Sequence, residues 1–315
     1  MLSRAAENLY WMARYVERAE NTARILDTTY RMSLVPHTTE SDNSEWFAPL
    51  NITGTLYPFS GRYLRVTAKD VLYFMALDPN NPGSIHGCAR QARENARAVR
   101  GSITMEMWEV INSTWLEIQQ MSEDRLAGEG ISAFLEWVKD RSHMFRGVTV
   151  GTALKDEAFH FNRLGIFLER ADNTARILDV KYHVLLPSVG DVGGAVDYYQ
   201  WAAVLGSVSA LQSYRKVYRD AINPLKVAEL LILRRDMPRS LHACMEEVYE
   251  LLQVLPSGAS QEALRLAGEL HSMLRFGRID SIFAGGLHEY LTVFLSRLNE
   301  LGHEVTRSFF SPAYA

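Results

Sequence analysis

The chain has 315 residues, and its 37 acidic and 33 basic residues give a formal net charge of −4 at pH 7. This balance supplies no bulk positive field of the kind that holds a nucleic-acid backbone or an anionic membrane surface. Two cysteines are too few for a disulfide framework in a chain of this length, and no stretch approaches the length of a transmembrane span. We therefore expect a cytoplasmic protein that binds neither nucleic acid nor membrane.

Apolar residues recur at helical spacing along nearly the whole chain. In residues 3–34, apolar side chains three and four positions apart keep one face of a helix apolar over several turns. Ser84 and Ser240 each follow a proline by two positions and stand where helix N-caps are expected. The pattern predicts further helices over residues 67–77, 84–121, 131–145, 153–186, 195–220, 225–234, 240–254, 260–281 and 285–309. Alternating patterns typical of strands are nearly absent, which predicts an all-α fold.

One segment of eleven residues occurs twice. Residues 17–27 read ERAENTARILD and residues 169–179 read ERADNTARILD, so ten of the eleven positions are identical at an offset of 152. The segment PGSIHGC (82–88) matches PRSLHAC (238–244) at an offset of 156. Matches in the same order at nearly constant offset are typical of a tandem duplication. We therefore predict a single domain, a helical bundle over the whole chain (1–315), made of two repeats related by a pseudo-twofold axis: residues 1–150 and 151–315.

The repeated segment places its charged residues along one side of a helix. At about 100° per residue, the stripe of the first copy consists of Glu17, Glu20, Arg24 and Asp27, and that of the second copy of Glu169, Asp172, Arg176 and Asp179. An exposed stripe gains only about 0.3–0.5 kcal/mol from each ion pair. Exposed surfaces of two copies are free to diverge, yet this segment keeps ten of its eleven residues. We therefore keep two interpretations open: structural packing, and a functional acidic centre or docking face. In the packing interpretation, the arginines that satisfy Glu17 and Glu169 are Arg18, Arg24, Arg170 and Arg176.

These segments also resemble a known family. Five segments of the chain resemble the bacterial alpha-E family, which is all-helical. They are LSRAAENLYWMARYVERAENTARILD (2–27), FLEWVKDRSHMFRGVT (134–149), DEAFHFNRLGIFLERADNTARILD (156–179), QARENARAVRGSITMEMWEVIN (91–112) and DYYQWAAVL (197–205). The resemblance covers nearly the whole chain. It implies particular neighbours, because similar proteins are typically encoded beside a circularly permuted ATP-grasp ligase, a transglutaminase-like cysteine protease and, in some bacteria, a proteasome-related peptidase called Anbu.

Such neighbours imply a system that makes, attaches or removes peptide-type amide bonds, with the ligase and the protease as partners. We expect the chain to be an accessory or substrate-presenting component of that system, and we predict no cofactor. The alternative is an enzyme in its own right that uses Glu17 or Glu169 as an acid or base in amide-bond chemistry. No Ser-His-Asp, Cys-His or nucleophile-elbow arrangement appears in the sequence, so no nucleophile can be named.

A second charged stripe occurs in the first half only. Its members, which share one side of a predicted helix, are Arg90, Arg93, Arg97 and Arg100. The corresponding positions of the second half hold Glu246, Tyr249, Gln253 and Pro256. Arginine forks bind two oxygens of a carboxylate or phosphate at once. We hypothesise that this stripe docks an anion or an acidic partner together with Trp108 and Asn112; the alternative is a solvated or internally paired stripe.

Two Glu-x-x-His pairs have the spacing that di-iron carboxylate bundles use to place both ligands on one helix face. They are Glu157 with His160 and Glu300 with His303. Such a site needs further glutamates from two other helices, and Glu169 lies about 18 Å from Glu157 along the same predicted helix. A di-metal bundle is therefore the least favoured alternative. A zinc site at His86, Cys88, His242 and Cys244 is also disfavoured, because residues two apart on a helix point about 200° away from each other.

Overall fold

The computed structural model describes residues 1–34, 44–126, 130–184, 195–255 and 261–311. Within these ranges the chain is helical and contains no strand, so the predicted all-α fold is confirmed. The helices up to residue 152 are α1 (Ser3–Ser33), α2 (Phe47–Ile52), α3 (Leu56–Ser60), α4 (Ala68–Ala76), α5 (Ile85–Ala98), α6 (Met105–Ile118), α7 (Glu123–Leu126) and α8 (Gly130–Thr152), with a 3-10 turn at Ser44–Trp46. Those that follow are α9 (Glu157–Val184), α10 (Ala195–Ser207), α11 (Leu211–Tyr218), α12 (Pro224–Ile232), α13 (Leu241–Val254), α14 (Gln261–Arg275), α15 (Ile279–Gly285) and α16 (Leu287–Val305), which a π-helical turn at Thr306–Phe310 extends.

Local capping fixes where several helices begin. The Ser84 hydroxyl accepts a hydrogen bond from the Gly87 amide at 2.9 Å, and the Ser240 hydroxyl accepts one from the Ala243 amide at 3.0 Å. These bonds satisfy amides that would otherwise lack a partner in the first turn. Both predicted N-caps are confirmed.

Three predicted helices are each two helices in the structure. They are the predictions over 84–121, 195–220 and 260–281. The first breaks because Thr104 caps a new helix by accepting a hydrogen bond from the Met107 amide at 3.3 Å. The second breaks beside Ser209, whose φ of 53° lies in the left-handed region and cannot continue a right-handed helix. The third breaks at Gly277, where an added Cβ would lie 2.9 Å from the Leu233 side chain.

The two longest helices, α1 and α9, pack along each other at the centre of the fold. They run in the same direction, because Met1 at the start of α1 contacts Glu157 and Glu17 farther along contacts Arg170. Near Gly165 the backbones approach so closely that an added Cβ would clash with the carbonyl oxygen of an α1 residue, Tyr10. Helices α5 and α8 pack on α1, whereas α13 and α16 pack on α9. The repeated segments therefore lie on the two central helices.

Two apolar clusters flank this central pair. The larger cluster includes Leu164, Leu231 and Phe294, and the smaller one includes Trp46 and Phe74; all five side chains are almost fully buried. Full burial of side chains of this size stabilises by about 1.5–3 kcal/mol each. No helix in the described ranges is both long enough and apolar enough to cross a membrane.

Candidate functional site

The charged stripe of α1 is buried. Glu17, Glu20, Arg24 and Asp27 are each at most 8% exposed. Because the stripe faces α8, α9 and the segment that precedes α13, charged residues from those elements can reach it. The stripe is therefore not a solvated helix surface, and each of its charges needs a partner inside the protein.

Three guanidinium groups enclose Glu17. The Nε and Nη2 atoms of Arg170 donate to its two carboxylate oxygens, each at 2.9 Å. Arg146 donates to Oε2 at 2.9 Å, and Arg239 donates to Oε1 at 3.1 Å. Burial by itself would raise the pKa of Glu17, but Arg170 and Arg239 outweigh that effect and hold the pKa below its ordinary value.

Glu20 shares two of these arginines. Arg146 and Arg239 both donate to it. Arg24 adds a bond of 2.8 Å to Oε1, and the Ser142 hydroxyl donates to Oε2 at 2.7 Å. Burial would raise the pKa of Glu20, but Arg239, together with hydrogen bonds from His143 and Arg146, holds it well below its ordinary value. We call this group the Glu17 network: Glu17, Glu20, Arg24, Arg146, Arg170 and Arg239.

The Glu17 network contains two carboxylates and four guanidinium groups, so it carries an excess of positive charge. Arg239, one of its buried cations, shows the effect of that excess. Burial, reinforced by the nearby Arg170 and Arg24, lowers the pKa of Arg239 to about 10, so that the group still carries its charge at pH 7.

Glu169 is bound by two arginines of α1. Arg18 donates to its two oxygens at 2.6 and 2.9 Å, and Arg14 donates to Oε2 at 2.6 Å. Burial would raise the pKa of Glu169, but Arg14 and Arg18 outweigh it and lower the pKa to about 2. The contacts are thus reciprocal: Glu17 binds Arg170, which follows Glu169, and Glu169 binds Arg18, which follows Glu17.

The other predicted stripe residues are paired as well. Their partners are Arg176 for Asp172 at 2.7 Å, Arg31 and Lys139 for Asp27 at 2.8 and 3.0 Å, and His288 for Asp179 at 2.6 Å. The predicted arginine partners Arg18 and Arg170 therefore bind the opposite glutamate. Arg24 and Arg176 instead bind an acidic residue four positions earlier on their own helix.

Sequence analysis missed two central members of the network, Arg146 and Arg239. Arg146 lies on α8 in a segment that has no match in the second half. Arg239 lies inside PRSLHAC, where the matching segment of the first half has Gly83. The presence of an arginine where the matching segment has a glycine is the sequence feature that could have pointed to Arg239.

This geometry suits packing better than acid–base chemistry. Both oxygens of Glu17 and of Glu169 accept hydrogen bonds from guanidinium groups. A carboxylate whose pKa lies below its ordinary value is a weak base and holds no proton to donate at neutral pH. In this arrangement, the two glutamates bind α1 and α9 to each other.

The predicted arginine stripe lies beside α6, but only Arg90, Arg93 and Arg97 belong to α5. Arg100 follows the end of that helix at Ala98, so the prediction that all four share one helix is wrong. Arg93 donates to Asn112 at 3.0 Å, and its guanidinium group lies 5.9 Å from the centre of the Trp108 ring. Arg100 lies 5.3 Å from the same ring. Glu94 pairs with Arg93 at 2.8 Å and with Arg97 at 2.7 Å. The stripe is therefore partly paired internally, and its four arginines, including Arg90, outnumber this one carboxylate.

The residues of the least favoured alternative, the di-metal bundle, do not come together. Glu157 binds the amino group of Met1 at 2.5 Å. His303 and Glu300 line a surface cleft on α16. Within the described ranges, neither these two residues nor Glu157 and His160 belong to a group of three close ligand atoms. The same holds for Cys88 and Cys244, which are buried.

Comparison with known proteins agrees with the helical architecture. The model of the Alpha-E family, described as a predicted alpha-helical domain with a conserved ER motif, matches residues 1–310. The sequence contains Glu-Arg at 17–18 and 169–170. Three uncharacterized proteins, one from Mycobacterium bovis and two from strains of Mycobacterium tuberculosis, are each 23% identical to the chain over 316 aligned residues. The match covers 94% of this chain and 35% of each relative, so the chain spans about a third of the length of these relatives. No solved structure matches it significantly.

Proposed function

This chain belongs to the Alpha-E family, and from that premise we propose that it is the accessory, substrate-presenting component of an ATP-grasp-linked peptide ligation and processing system. Its partners in this proposal are an ATP-grasp-type ligase and a transglutaminase-like protease. The proposal treats the two halves as tandem repeats related by a pseudo-twofold axis. The reciprocal pairs of Glu17 with Arg170 and of Glu169 with Arg18 support that relation.

The observation that carries the proposal is the ordered cationic surface of Arg93, Arg100 and Trp108. Two guanidinium groups lie against one indole ring, and Asn112 holds one of them by a hydrogen bond of 3.0 Å. A side chain that is already held in place loses less conformational entropy when it binds than a free one does. An acidic peptide tail or an acidic partner surface is the ligand that this charge favours.

The alternative is an enzyme that uses Glu17 or Glu169 as its acid or base. Both carboxylates are fully engaged by arginines, and both have a lowered pKa. The proposal therefore assigns these residues to the framework of the protein and assigns partner binding to the α5–α6 surface.

Co-expression with the ligase and the protease of the same host tests the proposal. The tagged wild-type chain should retain the ligase, whereas the double variant Arg93→Gln/Arg97→Gln should bind it at least about tenfold more weakly, since a loss of about 1.4 kcal/mol is tenfold. The control variant Arg265→Gln/Arg307→Gln removes two exposed arginines from other helices and should bind normally.

Two results would contradict parts of this proposal. Binding that is unchanged in Arg93→Gln/Arg97→Gln would overturn the assignment of the docking surface. A wild-type chain that retains neither the ligase nor the protease would overturn the assignment of the partners.

A further inference from the structure

Metal-ligating side chains gather between α13 and α14. One ligand atom from each of His242, Glu246 and His271 lies within 4.8 Å of the other two. His242 and Glu246 are four residues apart on α13 and therefore share one face of that helix, while His271 comes from α14. In the part of the chain that the structure describes, no other three His, Cys, Asp or Glu side chains come together this closely.

Both histidines are buried, and each has a ring nitrogen that we assign to a ligand. The Nδ1 atom of His242 lies 2.8 Å from the carbonyl oxygen of Leu233. Because a carbonyl oxygen can only accept, Nδ1 of His242 carries a proton, which leaves Nε2 as the nitrogen that could bind a ligand. The Nε2 atom of His271 is buried and has no hydrogen-bond partner among the described residues. Leaving a buried polar atom unpaired costs about 1–3 kcal/mol, and a ligand bound at this nitrogen would remove that cost.

The surroundings orient all three groups. Arg235 donates to Oε2 of Glu246 at 2.6 Å, which leaves Oε1 as the oxygen that we assign to a ligand. The Tyr249 ring stacks on the His271 ring, with 5.3 Å between the ring centres. Outer contacts of this kind fix ligand orientation in known metal sites.

We propose that His242, Glu246 and His271 form a mononuclear site for a divalent transition metal ion. Two imidazole nitrogens and one carboxylate are a donor set that binds Zn²⁺ and Fe²⁺, whereas Mg²⁺ prefers oxygen ligands. The three side chains line a cleft of about 310 Å³. Two guanidinium groups, Arg235 and Arg275, also line it. With three protein ligands, a coordination position stays open toward this cleft for water or for a small anion.

The corresponding region of the first half lacks this donor set. His86 matches His242 within the repeated P-x-S-x-H-x-C pattern, but Arg90 stands where Glu246 stands in the second half. Trp115 packs on His86 at 5.1 Å between ring centres, as His271 packs on His242 at 5.7 Å. Two of the three ligands are thus replaced, one of them by a cation. His86 is therefore the matched control for His242.

Zinc binding by the full-length chain tests the proposal. The protein is stripped with EDTA, incubated with Zn²⁺, desalted and analysed for zinc by elemental mass spectrometry, and the affinity is measured in competition with a chromogenic chelator. We expect the wild type to retain one zinc ion per chain and no Mg²⁺. Loss of an outer-shell group weakens metal binding by about 10–100-fold, so Glu246→Gln and His271→Gln, which remove ligands, should weaken it by at least about 100-fold.

The controls separate this site from adventitious binding by other histidines. The variants His86→Gln and His303→Gln should retain one zinc ion with wild-type affinity. Loading with Co²⁺ should give visible absorption bands in the wild type that disappear in Glu246→Gln. The Glu246 side chain is 19% exposed, so this variant is expected to fold, and far-UV circular dichroism checks that it does. A wild type that retains no zinc, or a folded Glu246→Gln variant that retains as much as the wild type, would overturn the proposal.

Discussion

Loss of the charge on Glu17 should destabilise the fold. Glu17→Gln preserves the size of the side chain but removes the negative charge that accepts four hydrogen bonds. Two of these come from the buried Arg170, one from the buried Arg239 and one from the partly exposed Arg146. Removing one partner of a buried ion pair costs about 3–5 kcal/mol. At about 2.1 cal/mol/K per residue, the unfolding entropy of 315 residues is about 0.66 kcal/mol/K, so Tm should fall by roughly 5–8 °C.

Urea unfolding followed by far-UV circular dichroism measures this loss. The matched control is Glu262→Gln, which removes a carboxylate from a surface ion pair with Arg265 and should leave the midpoint unchanged. A Glu17→Gln variant that unfolds at the wild-type midpoint would refute the reasoning. If such a stable variant also abolished turnover by the ligation system, the enzyme alternative would be favoured.

Two further predictions concern α9. The pKa of Glu169 is about 2 in the folded protein and ordinarily 4.5, so its contribution of roughly 3 kcal/mol is fully present above about pH 4.5 and is lost as the pH falls toward 2. The difference in unfolding free energy between wild type and Glu169→Gln should shrink over that range in urea titrations, and a constant difference would contradict this. Gly165→Ala should lower the free energy of unfolding by at least about 2 kcal/mol, because the new Cβ meets the Tyr10 carbonyl oxygen. The control Gly147→Ala, on the open surface of α8, should raise it by about 0.5–1 kcal/mol. Equal urea midpoints for these two variants would contradict the close packing of α1 on α9.

The helices are predictable where their signals are local. The prediction over 240–254 differs from α13 by one residue at its start, because Ser240 marks the beginning and the apolar spacing continues to the end. The interruptions inside longer predicted helices depend on other information. Gly277 lies in the break between α14 and α15, beside Leu233 of another part of the chain, and a pattern read along the sequence cannot show that contact.

In the candidate sites too, residues marked by their local sequence were predictable, whereas residues brought together by packing were not. Arg18 and Arg170 were accessible from the sequence because each adjoins a glutamate of the repeated segment. Arg146 and Arg239 come from elements more than 120 residues away from Glu17, and nothing in their own surroundings marks them as its partners. His271 is likewise brought to His242 only by the packing of α14 on α13.

The reciprocal contacts give a physical reason why the charged segment occurs twice. Glu17 binds Arg170, and Glu169 binds Arg18, so a change in either segment removes an ion-pair partner from the other. Breaking a buried ion pair costs several kcal/mol, which is a large part of the net stability of a folded protein. Residues 102–150 contain no counterpart of this reciprocal pairing, and they show little internal similarity to the second half. Dependence between the two segments, rather than a separate chemical task for each, is thus a physical reason to keep the Glu-Arg pair at the start of both.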